Sequence, residues 1–70
     1  MTERDPLPQT RMIEVYAEGP AEAIEAATIY ARDDMGVHLT DVTEVVLRRP
    51  IEQYNGRYIY RVTGRAMVLR

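Results

Sequence analysis

Seventy residues with a net charge of −2 suffice for one domain and leave little interior to stabilise it. The absence of cysteine excludes disulfides and thiolate zinc sites, and a single histidine, His38, excludes an imidazole-rich metal site. No apolar run is long enough for a membrane span or a signal-peptide core, so the expectation is a cytoplasmic chain with no membrane partner.

A core this small commonly needs a staple, and without cysteine or metal the remaining one is self-association. The charge distribution points the same way. Residues 1–39 carry three arginines and eight acids, a balance of −5, whereas residues 40–70 carry six arginines and three acids, a balance of +3. An acidic half and a basic half favour docking between copies, or onto another charged protein.

Met1 to Thr10 are polar and contain two prolines, and read as a flexible arm ahead of a single domain over 11–70. Arg11 to Glu18 alternates Ile13, Val15 and Ala17 with Met12, Glu14 and Tyr16, the period of a half-buried strand with Tyr16 on its outer face. Gly19-Pro20 then supplies an N-cap and a first helical position, and Glu22 and Glu25 complement the helix dipole. The spacing predicts a helix over Pro20 to Met35. Its buried stripe would be Ile24, Ala27, Thr28, Ala31 and Met35, flanked by Ala23 and Tyr30, and Gly36 would end it.

Val42, Val45, Val46 and Leu47 make Asp41 to Arg49 a second strand, closed or interrupted by Pro50. Asn55-Gly56 is a type I′ hairpin turn. The last strand runs from Arg57 to Leu69. Burying three arginines without partners is too costly, so Tyr60, Val62, Ala66 and Val68 should face the helix, while Arg57, Ile59, Arg61, Arg65, Met67 and Leu69 face away. The expected fold is α+β: a three-stranded antiparallel sheet of order 1-3-2 with one helix on one face, β-α-β-β.

The first candidate surface is the arginine face: Arg57, Arg61 and Arg65, spaced about 13 Å per four residues, with Arg48 or Arg49 from the neighbouring strand and Tyr16. It could bind carboxylates or phosphates, or pair with acids such as Glu14 and Glu44. Nucleic acid is disfavoured, because Tyr58 and Tyr60 fall on the opposite parity from the arginines and Tyr16 is the natural outward aromatic. The second candidate is the side of the helix bearing Ala26, Ile29 and Tyr30. Asp33-Asp34 supplies too few oxygens for calcium, and His38 has no serine or cysteine nucleophile to activate. These residues give no catalytic, metal or cofactor site.

Several local matches between Met12 and Leu69 carry a family resemblance. Ile13-Glu14-Val15, the alanine-rich stretch Glu22 to Ala31, Thr43-Glu44-Val45 with Arg48, Tyr60-Arg61-Val62 and Met67-Val68-Leu69 together resemble the dodecins. These are small β-α-β-β proteins that store flavins and assemble into hollow dodecamers. The resemblance implies the same topology, an oligomer, and a small-molecule storage role as an alternative. At the positions where dodecins stack the flavin on tryptophan and hydrogen-bond it with glutamine, this chain has Val42 and Arg61. The leading expectation is a non-enzymatic protein-interaction or accessory factor that acts as a homo-oligomer.

Overall fold

A computed structural model describes residues 9–68. In chain order the elements are β1 (Gln9–Ala17), α1 (Pro20–Tyr30), a π-helical turn Ala31–Met35, β2 (Val37–Leu47), β3 (Gln53–Tyr54) and β4 (Arg57–Val68). The sheet is antiparallel throughout and has four strands instead of the expected three. Its order is β1-β4-β2, with the two-residue β3 also paired to β4. The fourth strand arises because β2 leaves the ladder at Leu47 and rejoins it at Gln53 after an excursion through the cis Arg49-Pro50 bond.

Strand boundaries shift for physical reasons. Gln9 and Thr10 pair with Ala66 and Arg65, so the first strand starts inside the segment read as an arm. The rest of that segment lies outside the described residues. The second strand begins at Val37, four residues early, because Val37 and Leu39 are buried and pair with Val68 and Ala66.

Gly19 caps α1 in an extended conformation, Pro20 takes the first turn, and the Ala23 N–H donates to the Gly19 carbonyl at 3.0 Å. Beyond Tyr30 the helix widens into the π-helical turn, and Gly36 ends it at φ 67°, the left-handed conformation that glycine adopts without strain. The buried stripe is narrower than expected. Ala23, Ala27 and Ala31 are fully buried at four-residue spacing, Ile24, Thr28 and Met35 are half-buried, and Tyr30 is exposed. Alanine lets the helix axis lie close to the sheet. The facing core consists of Ile13, Ala17, Val37, Leu39, Val62 and Ala66, and Val62 is its largest fully buried side chain.

Two bulges shape β2. Its register against β4 slips between Leu39 and Asp41 and again between Val42 and Glu44, leaving Thr40 and Thr43 without partners in the ladder. Both threonine hydroxyls donate to β4 carbonyls instead, Thr40 to Arg65 at 3.2 Å and Thr43 to Thr63 at 3.3 Å. Gly64 lies between these contacts, where β2 presses on β4. A Cβ there would sit 2.6 Å from the Asp41 carbonyl oxygen and 3.2 Å from the Val42 Cα.

The hairpin tip carries Asn55 at φ 52° and Gly56 at φ 77°, as a type I′ turn requires. Asn55→Ala is expected to cost about 1 kcal/mol, since alanine is disfavoured in left-handed backbone. Asn55→Gly should stay within about 0.5 kcal/mol of the parent, and urea denaturation of the two variants checks the contrast.

Two residues of β4 depart from the burial expected of their faces. Val68 is 59 % exposed, since it occupies the last described pair of the sheet, opposite Val37, where the chain has just left the helix. Ile59, expected among the arginines in solvent, is only 9 % exposed. Its cover comes from the far side of the sheet.

Candidate functional site

The sheet has a core face under the helix and an open face. Register places Met12, Glu14 and Tyr16 of β1 beside Thr63, Arg61 and Ile59 of β4, all on the open side. From the other flank, Val46 and Glu44 oppose Arg61 and Thr63. Arg48 lies next to Ile59, to whose carbonyl its backbone N–H donates at 2.9 Å.

Glu14 organises the middle of this face. One carboxylate oxygen accepts from Arg61 Nη2 at 3.3 Å, the other from Arg48 Nη1 at 3.1 Å. Arg48 and Glu14 stand on opposite flanks of β4, so the Arg48 side chain must cross that strand to make the contact. Ile59 stands between its ladder partner Tyr16 and Arg48, whose backbone N–H bonds its carbonyl, and a long cationic side chain crossing at this point can shield apolar surface. Ile59 therefore belongs to a small second apolar contact, separate from the core under the helix.

Of the expected surface, Arg48, Arg61 and Tyr16 come together around Ile59. Arg57 lies nearer the hairpin tip, with Nε 3.8 Å from Glu22 Oε1. Arg65 is exposed farther along β4. Of the two acids expected to pair with this face, Glu14 does so and Glu44 makes no ion pair among the described residues; Glu52 also approaches Arg48, at 4.0 Å. The Glu14 ion pairs are partly solvated, so Glu14→Gln is expected to lower stability by less than about 1 kcal/mol. High salt should erase the difference, since the screening length contracts to about 3 Å at 1 M. Urea denaturation at low and high sodium chloride measures both effects.

Toward the hairpin tip the same face opens into a cleft of about 280 Å³ lined by Tyr16, Tyr54, Asn55 and Arg57. The two tyrosine rings have centroids 6.2 Å apart and are inclined at 55°. Sequence reasoning placed Tyr16 there and missed Tyr54 and Asn55. The signal was present: a two-residue turn at Asn55-Gly56 pairs Tyr54 with Arg57, so Tyr54 must share the open face with that arginine. The face thus carries a second outward aromatic from β3.

On the helix, Ile29 and Tyr30 are exposed and Ala26 is half-buried. Val42 packs against the core under the helix, whereas Arg61 lies on the open face. Among the described residues, no group of three or more acidic or histidine side chains gathers as a metal site, and no helix is long and apolar enough to cross a membrane. In comparisons with known proteins, no family model, no curated protein and no solved structure matches this chain.

Proposed function

We propose that this chain is a non-enzymatic interaction protein that works as a homo-oligomer, with β1 pairing to β1 of a second copy. The observation that carries this reading is the contrast between the two edges of the sheet. The β2 edge is blunted by two bulges and followed by an excursion at Pro50, devices that discourage strand addition. The β1 edge has none. It runs nine residues without proline, glycine or bulge, in unbroken register with β4, and nothing among the described residues covers its outer side.

A bare, regular edge is a template for another strand. Antiparallel pairing of two β1 strands about a twofold axis closes both edges at once and joins two four-stranded sheets into one. The thin core supports the need for it. The three residues that α1 and the π-helical turn bury completely are all alanine, and the described residues have a radius of gyration of 13.6 Å, against about 10–11 Å for a compact domain of this length.

Size-exclusion chromatography with light scattering across a concentration series tests the reading. The expected result is a mass rising to that of a dimer or higher oligomer. A monomer mass retained at high micromolar concentration would overturn it.

A further inference from the structure

The geometry points to the Tyr16–Tyr54–Asn55–Arg57 cleft as a binding site for a single heteroaromatic ring carrying a phosphate, the chemistry of a mononucleotide. Pairing at the β1 edge extends the sheet sideways and leaves its open face clear, so this site is independent of the assembly proposed above.

Each wall contributes one part of the recognition. The tyrosines are 55 % and 68 % exposed, so ring surface is available on both. With centroids 6.2 Å apart and planes inclined at 55°, they are a tilted aromatic pair that holds both rings in place. A planar ring can stack on the exposed face of either tyrosine, an arrangement that aromatic quadrupoles favour. Asn55 presents an amide with donors and an acceptor, suited to the edge of a ring that contains heteroatoms and wasted on a plain hydrocarbon. The left-handed turn fixes its backbone.

Arg57 supplies the cation. Its Nε stands 3.8 Å from Glu22, well beyond the roughly 2.7–2.9 Å of a tight charge-assisted bond. Its remaining donors have no partner among the described residues. A guanidinium fork of this kind matches a phosphate bidentately.

Size and surroundings limit the ligand to one unit. At about 280 Å³ the cleft lies just under the range of roughly 300–1,000 Å³ that encloses drug-sized ligands. Along β4 the next arginine, Arg61, is held with Arg48 by Glu14. Among the described residues, no second aromatic step and no chain of free cations leads away from the cleft, so a polynucleotide gains nothing from them beyond its first residue.

Titration of the full-length protein, followed by amide NMR, tests the site with adenosine monophosphate, adenosine, inorganic phosphate and a short oligodeoxyadenylate. The nucleotide should saturate with its largest shifts at Tyr16, Tyr54, Asn55 and Arg57. Adenosine and phosphate alone should each bind about tenfold or more weakly, the loss of one charged or stacking contact. Tyr54→Ala removes an exposed ring from a two-residue strand and should weaken the nucleotide at least about fivefold. Asn55→Gly keeps the turn and should also weaken it. Unchanged affinity in Tyr54→Ala, phosphate binding as tightly as the nucleotide, shifts centred elsewhere, or an oligodeoxyadenylate binding far more tightly than the mononucleotide would each overturn the proposal.

Discussion

Replacing Gly64 with alanine is expected to lower the unfolding free energy by about 2–3 kcal/mol. The sign is informative, because alanine at an unconstrained strand glycine stabilises by roughly 0.5–1 kcal/mol through loss of chain entropy. At Gly64 the added carbon would lie 2.6 Å from the Asp41 carbonyl oxygen, 3.1 Å from Leu39 Cδ1 and 3.2 Å from the Val42 Cα. Two of these neighbours are backbone, and the bulges on either side of Val42 already fix that backbone. No side-chain rotation can relieve the contact. The strands must separate locally, and Thr40 and Thr43 then lose their bonds to β4. Small domains hold only about 0.05–0.15 kcal/mol per residue, so such a loss would move the urea midpoint far down. A variant as stable as the parent would mean that β2 does not press on β4 at this point.

Ala27→Leu should cost a comparable amount, about 2–3 kcal/mol. Leucine and alanine are both good helix formers, so helix propensity contributes little to the difference. Packing dominates. Ala27 is fully buried in the middle of the Ala23-Ala27-Ala31 stripe, facing Val62 and its neighbours across a narrow gap. A branched side chain there forces the helix off the sheet or pushes core residues from their rotamers. Ala21→Leu, nearer the start of the helix on its exposed face, is the control and should change stability by no more than about 0.5 kcal/mol. Thermal or urea unfolding of the pair separates a narrow helix–sheet gap from a merely apolar one.

Much of this arrangement is legible in the sequence where a simple period holds. Ile13, Val15 and Ala17 alternate, and β1 forms around them. Pro20, the alanines and Gly36 mark the helix and its end, and Asn55-Gly56 marks the turn. Where the period breaks, sequence reading fails. The inward residues of β2 are Val37, Leu39, Val42, Val45 and Leu47, at spacings of two, three, three and two. Each spacing of three marks a bulge, and a pattern that is neither alternating nor helical hides the start of the strand. The five-residue excursion before Gln53 likewise hides β3 as a separate strand.

The burial of Ile59 has a different cause. Parity placed it correctly on the arginine face, but the side chain of Arg48, just beyond β2, reaches across β4 to Glu14 beside it. A contact between residues 34 apart in sequence leaves no local signature. The cleft is half legible in this sense: the turn pairs Tyr54 with Arg57 locally, but the approach of Tyr16 from β1 is long-range.

Hydrogen exchange along β1 tests assembly through this edge most directly. In an isolated chain the amides of Gln9–Ala17 alternate between those bonded to β4 and those pointing outward, and the outward set exchanges freely. Pairing of β1 with a second copy predicts that the outward amides gain protection as concentration rises, in step with the mass from light scattering. Outward amides that stay unprotected at concentrations where the protein is a dimer would contradict it and move the interface away from β1.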